Sequence, residues 1–168
     1  MKKLIAISVI ALSCLTPVAY GASNANPYGT SKVDPAGPNE IILTVSKGES
    51  TATFATSRLY KMKAKTISIY EPFLKKRQTF TVIPLSTFFS MVGIKGSDLV
   101  ITTALNDYIF KATAKQFIDA TAYLAIKRDG VEIPYDQGGP IRIIFDDKSK
   151  WAKNLDAWNW SISSITVK

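Results

Sequence analysis

Short apolar runs rich in β-branched side chains recur along the chain from Glu40 onward. Runs of this length, bounded by glycine, proline or asparagine, are typical of β-strands. The predicted strands are Ile41–Val45, Thr51–Thr56 as a hairpin partner, Thr66–Tyr70, Thr79–Val82, Leu99–Phe110, Ala122–Arg128 with Val131–Ile133 beyond an Asp-Gly turn, Ile141–Phe145, Trp158–Ile162 and Ile165–Val167. The chain therefore predicts a β-rich domain.

Between these runs, two segments have helical spacing. In Pro84–Gly93 the apolar side chains recur at i, i+3, i+4 and i+7, with proline near the start and glycine near the end. Thr113–Asp119 forms a second short helix that begins at Thr113 or Ala114. A helical turn over Arg58–Lys61 with Ser57 as its N-cap, and another over Lys148–Leu155, complete the pattern. The fold class is α+β: a β-rich single domain with a mixed sheet and short helices.

The longest apolar run, Leu99–Phe110, has two polar residues inside it. Asn106 and Asp107 must find partners if they are buried, because an unpaired buried polar group costs about 1–3 kcal/mol. Asn-Asp also favours a turn that would divide the run into two strands. The pattern leaves a turn and a ligand site as equal alternatives.

The N-terminal residues predict export. Lys2 and Lys3 precede an apolar run from Leu4 to Leu15, and Ala19-Tyr20-Gly21 carries small residues where a signal peptidase reads them. We expect residues 1–21 to be a cleaved signal peptide of a bacterial periplasmic protein. A lipoprotein modified at Cys14 is the lesser alternative. Residues 22–39, rich in Ser, Asn, Gly and Pro, predict a flexible arm before a domain spanning 40–168.

Composition then removes several classes of chemistry. The chain contains no histidine, and its only cysteine, Cys14, lies in the predicted signal peptide. The mature protein therefore lacks the usual ligands of structural zinc, haem, iron–sulfur and blue-copper sites, and it lacks Ser–His–Asp and Cys–His machinery. The net charge of +8 is carried by scattered bases, including Lys61, Lys63 and Lys65. A solvated basic face explains it better than binding to nucleic acid.

Several motifs, in order, resemble a known family. Gly138-Gly139-Pro140-Ile141-Arg142, followed by Trp160 and Ile165–Val167, resembles the closing signature of the sulfite-oxidase-type molybdopterin-binding fold. The Pro84-Leu85 helix start, Gly93 and the Asp129-Gly130 hairpin fit the same pattern in the same order. The resemblance spans residues 40–168 and implies that fold.

In one segment the chain differs from the molybdenum enzymes of the family that it resembles. In the molybdenum enzymes the segment corresponding to Ala104–Tyr108 bears the cysteine that ligates the metal, whereas this chain reads Ala-Leu-Asn-Asp-Tyr there. With its signal peptide, the chain is similar to a narrower group, the small periplasmic pterin-binding proteins (PruR-like). That likeness implies a non-enzymatic sensor without a metal or catalytic cofactor. Such a sensor binds a neopterin-like pterin and regulates the periplasmic region of a membrane-bound diguanylate cyclase/phosphodiesterase, and so cyclic di-GMP signalling and biofilm formation.

The chemistry of a pterin suggests which residues would hold it. Its pyrimidine edge offers an exocyclic amino group beside a ring N–H, and one carboxylate can accept both hydrogen bonds. Asp107 is the candidate anchor, Asn106 a second edge contact, and Tyr108, Arg142, Trp158 and Trp160 are stacking or edge candidates. Trp158 and Trp160 are expected on one strand face, and Arg142 is expected either to contact ligand or to pair with Asp107 or another acid. The other functional readings are a molybdopterin-dependent oxidoreductase and a periplasmic interaction module without a ligand.

Overall fold

The computed structural model describes residues 36–168. The predicted signal peptide and residues 22–35 of the predicted arm lie outside the described residues. The last residues of the arm, 36–39, form a turn in which the Gly37 N–H donates to Glu40 Oε2 at 3.0 Å. The Pro38 carbonyl accepts from the Ser57 N–H at 3.0 Å, so the packed domain begins slightly before Glu40.

Within residues 36–168 the chain forms nine β-strands and three short α-helices. In chain order they are β1 (Ile41–Lys47), β2 (Ser50–Ala55), α1 (Thr56–Lys61), β3 (Lys65–Glu71), β4 (Lys76–Pro84), α2 (Leu85–Met91), β5 (Leu99–Ala104), β6 (Ile109–Thr113), α3 (Ala114–Asp119), β7 (Ala122–Arg128), β8 (Arg142–Phe145) and β9 (Ile162–Val167). Two 3-10 turns, Tyr135–Gln137 and Leu155–Ala157, flank β8.

The strands form two sheets. The five-stranded sheet has the order β2-β1-β9-β5-β6, and it is mixed because β1 and β9 run parallel. The four-stranded sheet, β3-β4-β7-β8, pairs antiparallel throughout. This is the predicted β-rich α+β domain with a mixed sheet and short helices.

One apolar core is built from both sheets and from the helices. The predicted stripe of α2 is confirmed, since Leu85, Phe88, Phe89 and Val92 are all buried. Phe88 meets Phe54 of β2 edge to face, with ring centroids 5.1 Å apart. The three helices therefore supply core side chains and cover the sheets.

The boundaries of α1 and α3 test the capping predictions. Helix α3 begins after Thr113. The Thr113 hydroxyl oxygen accepts from the Gln116 N–H, and the Gln116 side-chain oxygen accepts from the Thr113 N–H, which is a reciprocal capping box. The Ser57 N-cap was wrong: α1 already begins at Thr56, and Ala55 occupies the cap position with no side-chain hydrogen bond. Strand β2 runs directly into this helix, which leaves no extended residue at position 57.

Three of the predicted strands differ from what the structure shows. Leu99–Phe110 is divided into β5 and β6 by a turn, as the Asn-Asp pair allowed. Val131–Ile133 contributes only an isolated bridge between Arg128 and Val131. Trp158–Ile162 is not a strand, because the chain there leaves a 3-10 turn and β9 starts only at Ile162. Trp158 and Trp160 consequently do not share a strand face.

The segment predicted as a helical turn over Lys148–Leu155 forms successive hydrogen-bonded turns. The N–H groups of Ser149, Ala152 and Asn154 each donate to the carbonyl three residues before them. Among the described residues, no helix is both long and apolar enough to cross a membrane.

Candidate functional site

The β5–β6 turn carries the polar pair that interrupts the apolar run. The Ala104 N–H donates to the Tyr108 carbonyl at 2.9 Å and the Asp107 N–H to the Ala104 carbonyl at 3.1 Å, which closes a three-residue hairpin loop. Such a loop needs a residue with positive φ in its last position, and Asp107 supplies it at φ +64°. Aspartate and asparagine adopt this conformation more readily than other residues with a Cβ. Both Asn106 and Asp107 are exposed.

This turn forms one wall of a cleft of about 250 Å³. Asn106 and Tyr108 line it from the turn, Leu155 and Asp156 from the 3-10 turn before Trp158, and the remaining walls are aromatic: Phe73, Trp158 and Trp160. Ligand pockets usually range from ~300 to 1,000 Å³ and combine apolar walls with a few polar groups. The cleft therefore suits a small, flat molecule.

The aromatic side chains of the cleft support one another. Phe73, in the β3–β4 connection, meets Trp160 with ring centroids 4.1 Å apart and Trp158 at 6.3 Å, both edge to face. Trp158 is almost fully buried against Phe145 at 5.7 Å, and its Nε1–H donates to the Trp151 carbonyl at 3.3 Å. These contacts hold the rings as a rigid apolar surface for a planar ligand.

Tyr108 links the two polar walls. Its hydroxyl donates to the Asp156 carbonyl at 2.9 Å, and its N–H donates to Asn106 Oδ1 at 3.2 Å. Partial burial, together with the nearby Asp156 charge, raises the pKa of Tyr108 above its usual value. A tyrosine hydroxyl is protonated at neutral pH at its ordinary pKa, and the raised pKa extends its role as a donor across the mouth of the cleft to more alkaline pH.

Arg142 lies beneath the cleft and not in it. Its side chain is fully buried, and Nη2 donates to Glu71 Oε1 at 2.7 Å. The guanidinium carbon lies 4.9 Å from the ring centroid of Trp160, within cation–π range. The expected pairing with an acid is confirmed, but the partner is Glu71 and not Asp107. Arg142 supports Trp160 from behind.

Glu71 connects this ion pair to the aromatic wall. Its second carboxylate oxygen accepts from the Leu74 N–H at 2.5 Å and so holds the loop that presents Phe73. The pair was difficult to predict from sequence, because Glu71 is the last residue of a strand with alternating polarity and is separated from Arg142 by 71 positions.

The Gly138-Gly139 dipeptide allows the chain to pass close to these groups. Gly138 has φ +82°, and a Cβ there would come within 3.2 Å of Trp160 Cγ and 3.4 Å of Arg142 Nη1. A Cβ on Gly139 would lie 1.8 Å from the Ile133 carbonyl oxygen, which no side chain can tolerate. The motif that carried the resemblance thus has a packing reason in this fold.

Of the six predicted site residues, four line the cleft, Asp107 lies beside it in the turn, and Arg142 is buried outside its lining. Asn106, Tyr108, Trp158 and Trp160 are brought together as lining residues of one cleft. Asp107 lies in the same turn but is not a lining residue, and its role as anchor stays a prediction. Sequence reasoning missed Phe73, Leu155 and Asp156, because no local pattern marks these three residues as neighbours.

The side chains available as metal ligands decide whether the molybdenum centre suggested by the family resemblance fits this site. Residues 36–168 contain neither cysteine nor histidine, and no cluster of three metal-ligating side chains occurs among them. A molybdenum centre bonded to a protein thiolate does not fit these residues.

The fold has a counterpart among solved structures. The chain is similar to the sulfane dehydrogenase SoxCD from Paracoccus pantotrophus, with a TM-score of 0.60 and 11% sequence identity. The match covers 80% of this chain and 39% of that one, so the chain spans about two fifths of the length of the enzyme chain. No family model matches the sequence, and no curated protein matches it. The likeness shows the fold alone, and it agrees with the sulfite-oxidase-like fold that the sequence motifs predict.

Proposed function

We propose that this protein is a periplasmic pterin-binding protein that regulates a membrane-bound enzyme of cyclic di-GMP synthesis and degradation. The observation that carries the ligand assignment is the cleft in which Tyr108, Trp158 and Trp160 converge with the amide of Asn106. Location and partner come from the family resemblance in the sequence and are parts of the same proposal. Neopterin is the representative ligand.

The walls of the cleft match one face and the polar edge of a pterin. A planar bicycle stacks on an aromatic surface, and the supported Trp160 ring provides one. The polar edge of the ligand needs acceptors for two adjacent donors and a partner for a carbonyl. The Asn106 amide can meet the carbonyl, and a carboxylate can accept both donors.

Two carboxylates are available for that role. Asp156 lines the cleft, while Asp107 sits in the turn between two lining residues. Asp107 is the proposed anchor, which requires its exposed side chain to turn towards a bound ligand. Asp156 is the competing acceptor, and a pair of substitutions separates them.

The test is isothermal titration of the purified protein with neopterin. Asp107→Asn keeps a residue that tolerates φ +64° but removes the charge, so the fold is retained while the affinity falls by about tenfold or more, the worth of a charged hydrogen bond of ~1.5–3 kcal/mol. Asp156→Asn is the matched variant from the opposite wall. Asp129→Asn, in the β7 hairpin turn, is the control outside the cleft.

The outcomes are distinct. Loss of affinity in Asp107→Asn alone supports the proposed anchor, and loss in Asp156→Asn alone transfers the anchor to Asp156. No heat of binding with the unmodified protein at high micromolar neopterin would overturn the pterin assignment.

A second candidate function is an oxidoreductase that uses a molybdopterin cofactor. The observation in its favour is the similarity of the fold to a sulfane dehydrogenase. Against it stands the absence of a thiolate or imidazole in residues 36–168. Elemental analysis of protein purified from the periplasm decides: molybdenum in stoichiometric amount would favour the oxidoreductase and overturn the regulator proposal.

A further inference from the structure

An open groove lies between the segment that follows α1 and the length of α2, and it is built from different residues than the cleft. Its volume is about 410 Å³, and it is lined by Met62, Ala64, Pro84, Met91 and the stems of Lys63 and Lys65. Met91 is 47% exposed at the end of α2. Flexible methionine side chains adapt to different apolar partners, so this lining suits an inserted side chain.

The rim of the groove is positively charged. Lys61, Lys63 and Lys65 follow one another at alternate positions and are all exposed. No carboxylate among residues 36–168 lies within ion-pair distance of these three ammonium groups, and no acid lines the groove. Lys65 Nζ donates to the neutral Tyr123 hydroxyl at 2.7 Å, so all three charges lack a counterion among residues 36–168, and Lys61 and Lys63 also lack a side-chain hydrogen bond there.

The groove is continuous with an open part of a sheet edge. Strand β3 is the edge of the four-stranded sheet and begins at Lys65. Its far end is closed, because Asp147 accepts from the Tyr70 N–H and Arg77 donates to the Ser68 carbonyl. Strand hydrogen bonding alternates with period two, so the backbone groups of Thr66 face the same side, next to the groove.

We propose that this groove and the adjacent end of β3 bind an extended, acidic segment of another protein. One apolar side chain of that segment enters between Met62 and Met91, and flanking carboxylates meet Lys61 and Lys63. The segment pairs its backbone with Thr66, as in recognition by strand addition. Charge complementarity with the lysines favours a negatively charged partner and raises the rate of association.

Concavity favours a peptide over a lipid surface as the occupant. A flat membrane would meet the lysines but could not fill the groove, whereas one side chain can. The proposal is independent of the pterin assignment, because none of its residues lines the cleft.

The test titrates the protein with a short capped peptide that carries one leucine flanked on each side by two glutamates. Lys63→Glu and Met91→Asp are each expected to weaken binding by about fivefold or more, since each opposes the charge or the apolar contact. Lys111→Glu on β6 and Ile118→Asp on α3 are matched controls with exposed side chains elsewhere, and both should leave the affinity unchanged. Replacing the leucine by serine, or the glutamates by lysine, should also weaken binding.

Three results would overturn the proposal. One is the absence of peptide binding, and another is equal loss in the groove variants and the controls. The third is binding to phosphatidylglycerol vesicles, sensitive to Lys63→Glu, with no binding of the peptide, which would assign the face to a lipid surface. Thermal melting of each variant confirms that it is folded.

Discussion

Glu71 and Arg142 form an ion pair in which both side chains are fully removed from solvent. Such a pair costs desolvation, and breaking it leaves a charge buried without its counterion. Here the pair also holds two parts of the cleft wall, the loop bearing Phe73 and the ring of Trp160. A single interaction therefore links the core to the candidate site.

Replacing one member of this pair should be strongly destabilising. We expect Glu71→Gln to lower the free energy of unfolding by about 3–5 kcal/mol, because Arg142 keeps its charge in an apolar environment. Urea denaturation measures the change. The double variant Glu71→Gln/Arg142→Met should recover much of the loss.

Asp147→Asn provides the comparison for the buried pair. It weakens the exposed Arg77–Asp147 pair and should cost no more than about 1 kcal/mol after screening by solvent. A loss in Glu71→Gln as small as this would show that the buried pair is dispensable.

At the scale of elements, local sequence specified helices better than strand ends. The α2 stripe and the start of α3 at Ala114 follow from local patterns of a few residues, and both predictions are confirmed. The N-terminus of α1, the bridge at Val131 and the loop at Trp158–Trp160 were mispredicted. In each of these, the chain follows a neighbouring element rather than its own hydrophobic pattern.

The α3 cap gives a prediction at this scale. Thr113→Ala removes the acceptor for the Gln116 N–H and should lower the free energy of unfolding by about 1 kcal/mol. Thr113→Ser retains a hydroxyl acceptor and should stay within a few tenths of a kcal/mol of the unmodified protein. Thermal or urea melts of the two variants measure the difference, and equal losses would mean that the cap contributes nothing.

For the molecule as a whole, Asn159 joins the two sheets. Its fully buried side-chain amide donates to the Thr102 carbonyl and Oγ1 of β5 at 3.2 and 3.0 Å, and its backbone carbonyl accepts from the Ile143 N–H of β8 at 2.8 Å. This connection explains why residues 158–160 leave the strand pattern that their sequence suggests. It also sets the position of Trp158 and Trp160 on either side of Asn159.

We therefore expect Asn159→Ala to destabilise the whole domain. Removing the amide deletes its two buried hydrogen bonds to Thr102, at a cost of about 1–3 kcal/mol. Circular dichroism and tryptophan fluorescence should still report one coincident transition, shifted to lower urea. Asn154→Ala, a half-buried asparagine in the same segment, should change the midpoint little. Separate transitions by the two probes would show that the sheets unfold independently.

The sequence by itself determined the class of fold, most of the strands, the α2 stripe and the start of α3, and it offered the turn at Asn106-Asp107 as one of two alternatives. These features depend on periodicity and turn chemistry within a few residues, which are present in any local window. Only the tertiary structure decided that Glu71 is the partner of Arg142. It also decided that Asp107 lies outside the lining of the cleft. The residues that line one cleft, again known only from the structure, include Phe73, Asn106, Tyr108, Asp156, Trp158 and Trp160. Those contacts join residues far apart in the chain, and their geometry follows from how two sheets pack.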